Sequence, residues 1–279
     1  MTPYEFETEP YGHQREALEE SWAAEYYALF MEMGTGKSKV VIDTIGVLYE
    51  EGRVNAALIV APKGVYDNWV RGEIPLHLPS RIPRALLRWS ASKTMKFEQA
   101  LKTFIVSQEL GLKIFVMNIE AFSTGRGTDA ATAFLYQNPD NIMVVDESTS
   151  IKNRKAARTK NIISLQRHAK YRRILTGSPI TKSPMDLFSQ FDFLAEKALG
   201  FNSYFAFQAR YANVQRRQMG HRSFQQIVGY RRLDELSAKL DKFSNRILKA
   251  DCLDLPPKIY TRRDVPLTSA QQKLYDQMK

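Results

Sequence analysis

Short apolar runs alternate with longer amphipathic stretches through residues 1–195. Several runs, such as ALIVA and IMVV, are apolar without interruption, which is typical of strands covered on both faces. Strands that alternate with helices predict an α/β fold with a central, mostly parallel sheet flanked by helices. The predicted strands are Tyr27–Glu32, Ala56–Ala61, Arg84–Trp89, Ile114–Asn118, Ile142–Asp146 and Arg172–Thr176, and the predicted helices are Lys37–Glu51, Ser92–Gln108, Arg154–His168 and Pro184–Lys197.

The pattern changes after about residue 196. Aromatic and basic residues mix there without clear strands, and helical periodicity returns in LDELSAKLDKFSNRILKA. We therefore predict a helical insertion over residues 196–250. Pro256 and Pro257 would end its last helix, so that residues 251–279 form an extended linker whose last residues begin another helix.

The chain is strongly basic. The chain has 279 residues, a formal net charge of +10 and a pI of about 9.5, which favours a polyanionic partner such as nucleic acid. A single cysteine excludes an intramolecular disulfide, and no apolar run approaches the roughly 18 to 20 residues that a membrane helix needs. The acidic, polar N-terminus does not resemble a signal peptide. We expect a protein that is neither secreted nor inserted in a membrane.

The strongest chemical motif lies between the first predicted strand and the helix after it. Glycines there let the backbone approach phosphates, and the helix N-terminus supplies N–H donors. Lys37 would reach the β- and γ-phosphates, and the Ser38 hydroxyl would bind Mg²⁺. The full motif has a further glycine where this chain has Met31. The predicted nucleotide-binding residues are Met33, Gly34, Thr35, Gly36, Lys37 and Ser38.

Two carboxylates follow the buried strand IMVV. Ligands of parallel sheets bind at the carboxyl ends of the strands, so this pair is expected beside the phosphate loop. Asp146 would hold Mg²⁺, and Glu147 would orient or deprotonate the attacking water. A third segment, LTGSPI, ends another predicted strand; it is either a tight turn or an element that couples the γ-phosphate to motion.

Seven segments match the motifs of one ATPase family. They are Tyr11 with His13 and Gln14, EMGTGKS, Leu58–Glu73, Val116–Glu120, Asp146–Asn153, LTGSPI and ILKADCLDLPPK. With these segments the chain resembles the superfamily-two helicase-like ATPases, specifically the Swi/Snf-type translocases, over nearly its whole length. The Ile-Lys-Asn and Leu-Pro-Pro-Lys features are more specific to that family than the phosphate loop.

The resemblance implies a RecA-like P-loop lobe over residues 1–195, and a brace over 251–279 that leads towards a second RecA-like lobe. It implies ATP and Mg²⁺ as cofactors, with Tyr11 and Gln14 at the adenine. Catalysis would depend on the lysine and the two carboxylates already named, Lys37, Asp146 and Glu147.

The resemblance also implies that duplex DNA runs across both lobes. On this lobe the residues near the DNA would be Lys63, Asn118 and Ser178, while Lys152 either contacts DNA phosphate or caps a helix. Trp69 belongs to a family motif as well, but a tryptophan on an amphipathic helix is more often part of the core.

The chain departs from the family pattern at two places. Ser148 and Thr149 replace a small residue and a histidine at a position that couples hydrolysis to DNA binding. The sequence also lacks the second lobe's arginine-rich motif, whose arginine finger contributes about 10³ to 10⁵ in rate. We expect a monomeric fragment, with its second lobe missing, that binds ATP and turns it over weakly or not at all.

Other functions stay open from the sequence alone. One is a strand-separating DNA or RNA helicase of the same superfamily. Another is a nucleotide-dependent DNA-binding module that does not hydrolyse ATP, although the retained Lys37, Asp146 and Glu147 argue against it. A small-molecule P-loop kinase lacks a supporting motif. The expected compartment is a bacterial or viral host cytoplasm, or the nucleus of a eukaryote.

Overall fold

The computed structural model describes residues 4–109, 111–219, 222–252 and 261–278. Its helices are α1 (Gly12–Ser21), α2 (Lys37–Glu50), α3 (Tyr66–Asn68), α4 (Ile74–His77), α5 (Met95–Val106), α6 (Gly125–Gln137), α7 (Ala157–Ser164), α8 (Leu187–Leu194), α9 (Tyr204–Tyr211), α10 (Leu233–Leu240), α11 (Lys249–Cys252) and α12 (Ser269–Gln277). The strands are β1 (Tyr26–Met31), β2 (Ala56–Ala61), β3 (Arg84–Arg88), β4 (Leu112–Asn118), β5 (Asn141–Asp146), β6 (Tyr171–Leu175), β7 (Ala212–Met219), β8 (Arg222–Tyr230) and β9 (Ser244–Ile247).

A seven-stranded parallel sheet forms the centre of the chain. Its strand order is β3-β4-β2-β5-β6-β1-β9, and every neighbouring pair is parallel. The predicted α/β fold with a mostly parallel sheet is confirmed, and all six predicted strands lie within two residues of their expected bounds. Because β1, β5 and β6 are close in this order, their carboxyl ends meet at one edge.

Apolar side chains cover both faces of the sheet. Along β5, Met143 and Val145 belong to one buried cluster, whereas Ile142 and Val144 belong to the other. Successive residues of a strand point to opposite faces, so a strand buried on both sides must be apolar at every position. This double burial is the physical reason for the uninterrupted apolar runs in the sequence.

The helices follow their predictions less closely. Helix α2 matches its expected range to one residue, but α7 is followed by a 3₁₀ turn at Leu165–His168, and α8 is preceded by another at Pro184–Asp186. Helices α1 and α6 were not predicted. None of the helices in the described ranges is long and apolar enough to cross a membrane.

The predicted helical insertion requires a correction. Residues 196–250 do contain α9 and α10, but they also contain the antiparallel hairpin β7–β8 and the strand β9, which extends the main sheet beside β1. Most side chains of the hairpin are exposed on both faces, so its sequence lacks the apolar alternation that marks a half-buried strand. The predicted break at Pro256 and Pro257 lies outside the described residues. The three-part division of the chain stays a prediction.

A fully buried arginine joins β6 to the end of α1. The Arg173 guanidinium donates to the carbonyl oxygens of Ser21 at 2.7 Å, Ala24 at 2.8 Å and Trp22 at 3.3 Å. These carbonyls lie at the C-terminus of α1, where helices leave acceptors unpaired and favour a cation. Burial lowers the pKa of Arg173 to about 9. The contact fixes α1 against the strand that leads to the LTGSPI turn.

We expect Arg173→Met to lower the free energy of unfolding by about 2–4 kcal/mol, because it removes the donor from one buried and two partly buried carbonyl oxygens. Urea unfolding measures the change. Lys102→Met, on the exposed surface of α5, is the matched control and should change stability by less than about 0.5 kcal/mol. A loss no larger than the control's would show that these hydrogen bonds are not needed.

Candidate nucleotide site

Two glycines shape the loop between β1 and α2. Gly34 and Gly36 have φ angles of 84° and 87°, in the left-handed region that favours glycine. A Cβ atom on Gly36 would lie 2.2 Å from the Gln14 amide nitrogen, so no larger residue fits there without moving that side chain. The loop therefore wraps tightly and presents the first turn of α2, with its free N–H groups, to an anion.

The first turn of α1 is hydrogen-bonded to this loop. The Gln14 amide donates to the Thr35 carbonyl at 3.1 Å and accepts from the Tyr11 backbone N–H at 3.1 Å. His13 also contacts the Thr35 carbonyl, at 2.8 Å, and its ring stacks with the exposed ring of Tyr11. Gln14 thus supports the phosphate loop directly, and its role in reading adenine stays a prediction.

The predicted carboxylates lie opposite the loop. Lys37 Nζ is 3.5 Å from Glu147 Oε1. Asp146 accepts from the Trp69 indole N–H at 3.0 Å and from the Glu147 backbone N–H at 2.9 Å. Burial raises the pKa of Asp146, while the hydrogen bond from Trp69 and the charge of Lys37 oppose that rise. The arrangement brings the lysine and both carboxylates together as the sequence predicted.

Glu147 adopts an unusual backbone conformation. Its φ of 46° and ψ of 59° are left-handed, a state that costs a non-glycine residue about 1–3 kcal/mol. The side chain then accepts from the Thr176 hydroxyl at 3.3 Å, and that hydroxyl accepts from the Ser178 N–H at 3.2 Å. Glu147 therefore contacts both the phosphate-loop lysine and the LTGSPI turn.

A second buried contact connects the segment after the Asp-Glu pair to the LTGSPI turn. The Ser148 hydroxyl donates to the Gln190 side-chain oxygen at 2.6 Å, and the Gln190 amide donates to the Pro179 carbonyl at 2.9 Å. Ser148 is fully buried. A serine at this family position is therefore accommodated by a hydrogen-bonded partner on α8.

A cleft of about 270 Å³ opens between these groups. Its wall includes most of the predicted nucleotide residues, and the structure adds one residue of α2 and several of the segment after β2 that the sequence had not assigned. The added residues are Lys39, Val65, Asn68, Trp69, Glu73 and His77. Trp69 is buried, as expected of a core residue, but its indole N–H also reaches Asp146, so the core interpretation was incomplete.

The oxygen ligands that the protein offers at this cleft suit a Mg²⁺ ion that a bound nucleotide also coordinates. The described residues contain no cluster of three or more His, Cys, Asp or Glu that would hold a metal ion without help. Mg²⁺ commonly takes one or two protein oxygens and completes its shell with phosphates and water. The Ser38 hydroxyl and the Asp146 carboxylate, both at the cleft, match that requirement.

The predicted DNA-contacting residues follow the carboxyl ends of the sheet strands. Exposed Lys63 follows β2, and Asn118 ends β4, where its amide donates to Glu120 at 3.0 Å. Lys152 follows the Asp-Glu pair and donates to the Thr181 hydroxyl, while Ser178 lies in the turn after β6. Their contact with DNA stays a prediction.

Lys249 lies beside the phosphate loop, and sequence analysis did not identify it as a site residue. Its backbone N–H donates to the Glu32 carboxylate at 2.8 Å. Its Cε and Nζ atoms lie 3.3 and 3.4 Å from the position that a Cβ atom on Gly34 would take. The contact places a second ammonium group next to a loop that is built for phosphate, although Lys249 is 215 residues beyond Gly34 in the sequence.

We expect Trp69→Phe to weaken Mg²⁺-dependent ATP binding by about 10- to 100-fold, the usual effect of removing a group that orients a metal ligand. Equilibrium titration in Mg²⁺ and in EDTA measures the effect. Trp89→Phe is the matched control, because Trp89 is also buried but packs against Phe97 and Phe115. Equal affinities in the two variants would exclude an orienting role for the indole N–H.

We expect Lys249→Gln to weaken ATP binding about 5-fold, since a charge pair near the surface contributes on the order of 1 kcal/mol. The loss should be larger for ATP than for AMP, because Lys249 lies at the phosphate loop. Exposed Lys242 supplies the control Lys242→Gln. An equal loss for ATP and AMP would contradict a phosphate contact.

Comparisons with known proteins agree with this geometry. The family model of the SNF2-related domain matches residues 13–279. A zebrafish SWI/SNF-related matrix-associated actin-dependent regulator of chromatin, subfamily A containing DEAD/H box 1A, is 26% identical over 88% of this chain and 24% of its own length. The bovine DNA annealing helicase and endonuclease ZRANB3 is 30% identical over 87% of this chain and 21% of its own length.

A solved structure shows the same fold. The Sulfolobus solfataricus SWI2/SNF2 ATPase core in complex with dsDNA superposes with a TM-score of 0.67 at 22% identity, over 99% of this chain and 53% of that one. The chain thus spans about half of that ATPase core, and less than a quarter of the length of the two curated relatives. Since the family model covers nearly all of the sequence, this chain belongs to the SNF2-related domain family.

Proposed function

We propose that this chain is the ATP-binding lobe of a DNA-dependent ATPase that translocates on duplex DNA or remodels its complexes. The observation that carries the proposal is the meeting of Lys37, Asp146 and Glu147 at one sheet edge, with Glu147 also bonded to Thr176. A nucleotide-driven motor requires three parts: a phosphate-binding loop, a carboxylate that orients the attacking water, and a connection from the site to a second loop.

Each residue has a defined task in this proposal. The phosphate loop and Lys37 bind the β- and γ-phosphates, and Glu147 orients the attacking water. Mg²⁺, when bound with ATP at Ser38 and Asp146, neutralises charge on the phosphates. Departure of the γ-phosphate would alter the charge next to Lys37 and Glu147, and the Thr176 hydroxyl would pass that change to the LTGSPI turn.

Slow turnover by the chain alone is part of the proposal. Among the described residues that line the cleft, the basic side chains are Lys37, Lys39 and His77, and none is an arginine. An arginine finger accelerates hydrolysis by about 10³ to 10⁵, or about 4 to 7 kcal/mol of barrier. We propose that a second RecA-like lobe supplies this group.

Duplex DNA is the proposed track. The net charge of +10 and the basic residues near the carboxyl ends of the strands favour a polyanion. The solved ATPase core with the same fold was determined in complex with dsDNA. The Ile151–Asn153 segment favours the translocase branch over strand-separating helicases, so processive unwinding by a motor containing this lobe would favour that alternative instead.

We expect Glu147→Gln to retain ATP binding by this chain within about 3-fold, and to lower single-turnover hydrolysis at least about 100-fold in a motor that contains this lobe together with a second lobe, because removing one catalytic acid–base group costs about 10² to 10⁴ in rate. The side-chain oxygen of Gln can still accept the hydrogen bond from the Thr176 hydroxyl, so the contact with the LTGSPI turn should be retained. Hydrolysis is measured with and without saturating duplex DNA, beside Lys37→Ala.

Lys37→Ala should abolish ATP binding, which distinguishes phosphate binding by Lys37 from water orientation by Glu147. Loss of binding in Glu147→Gln would mean that this carboxylate holds the nucleotide rather than the water. An equal rate of ATP hydrolysis by the unaltered chain with and without duplex DNA would contradict the proposed coupling. Fast turnover by the unaltered chain would contradict the need for a second lobe.

A further inference from the structure

The segment that sequence analysis described as a helical insertion has a one-sided charge. Between Glu196 and Asp234 the sequence contains no carboxylate side chain. The same stretch contains seven lysines and arginines, which are Lys197, Arg210, Arg216, Arg217, Arg222, Arg231 and Arg232. Lys197 and Arg210 form ion pairs with Glu196 and Glu235, just outside the stretch. The other five have no carboxylate within the stretch, and a solvated surface usually mixes both signs, so this excess favours a polyanionic partner.

The β7–β8 hairpin presents Arg216 and Arg217 on an exposed ladder. Residues 213–218 and 223–226 are exposed. At the base of the hairpin, the Tyr230 hydroxyl donates to Ser183 Oγ at 2.8 Å and the Arg231 N–H donates to the Tyr211 carbonyl at 2.9 Å. The hairpin is therefore attached to the segment after β6, close to the LTGSPI turn that Glu147 reaches through Thr176.

Its two central arginines lie on opposite faces. Arg216 pairs with Gln225 across the ladder, and Arg217 pairs with Phe224. Residues directly opposite each other in a ladder share a face, and neighbours along a strand alternate between faces. Arg216 and Gln225 therefore share one face, while Arg217 lies on the other.

The face of Gln225 meets a groove of about 450 Å³. Its lining includes Lys152, Arg154 and Lys155 from the segment after β5, Gln208 from α9 and Gln225 from β8. The Arg154 guanidinium lies over the rings of Tyr204 and Phe205, at 4.2 and 5.1 Å from their centroids, which holds the cation in place.

One carboxylate lines the same groove, and it is already engaged. Asp186 accepts hydrogen bonds from the Thr181 N–H and hydroxyl and from the Lys182 N–H, at 2.8 to 3.1 Å. The groove lining thus carries three cations and two side-chain amides against one carboxylate, and Lys152 is the cation connected to that carboxylate, through the Thr181 hydroxyl. Arginine, lysine and glutamine are the side chains that commonly donate to phosphate oxygens of nucleic acid.

We propose that the groove between Lys152–Lys155 and the Arg216 face of the hairpin binds the phosphate backbone of duplex DNA. This deepens the proposed function, on which it rests, by adding the hairpin to the DNA-contacting surface. The hairpin is outside every segment on which the family resemblance depends. Its attachment at Ser183 places a duplex contact beside the turn that is connected to Glu147.

The test compares two adjacent arginines in the full 279-residue chain. Binding of a short blunt-ended DNA duplex is measured over a range of salt concentrations, and each phosphate contact contributes about −0.9 to the slope of log K against log salt. Arg216→Gln and Lys155→Gln should each make the slope shallower by about 0.9, and the double variant by about 1.8. Arg217→Gln removes the same charge from the opposite face and should leave the slope unchanged.

Two further controls separate the possible failures. Lys96→Gln with Lys102→Gln removes two exposed charges from α5 and should leave the slope unchanged. ATP binding should be unchanged in all variants, which shows that the nucleotide site is folded. An unchanged slope for Arg216→Gln, or equal slopes for the Arg216 and Arg217 variants, would contradict DNA binding in the groove. Neither result would contradict the proposed function. Failure of the unaltered chain to bind duplex DNA overturns both.

Discussion

The left-handed backbone at Glu147 is the constraint on which the site depends. Strand β5 pairs on both sides and ends at Asp146, so the chain has to turn sharply at the next residue to leave the sheet. The turn places the Glu147 carboxylate between Lys37 and Thr176, at 3.5 and 3.3 Å. A strained residue of this kind persists only where surrounding contacts determine it, and such residues concentrate at functional sites.

Hydrogen bonds extend from this corner towards the proposed DNA surface. One set runs from Glu147 through Thr176 to the backbone of Ser178, and a second runs from Ser148 through Gln190 to Pro179. The turn that receives both continues to Ser183, where the hairpin is attached. A change of charge at the γ-phosphate position therefore has a contiguous set of contacts through which to reach the basic groove.

The sequence predicted the parts of this molecule that local patterns determine. The strands were predictable because burial on both faces requires uninterrupted apolar runs, and Lys37, Asp146 and Glu147 were predictable because ligands collect at strand ends. Trp69 looked like core because its burial is real, and its bond to Asp146 depends on a contact between distant segments. Lys249 and the hairpin were missed for different reasons: Lys249 reaches the phosphate loop only through a long-range contact, and most hairpin side chains are exposed, so the hairpin shows no apolar alternation.

Binding of a non-hydrolysable ATP analogue to this chain, titrated calorimetrically in Mg²⁺ and then in EDTA, tests the central claim most directly. If Lys37, Ser38 and Asp146 form one Mg²⁺-nucleotide site, the titration should show one site per chain whose affinity falls about tenfold or more without Mg²⁺, because the metal binds through phosphates as well as protein oxygens. Equal affinity in the two buffers, or no binding in either, would contradict the account.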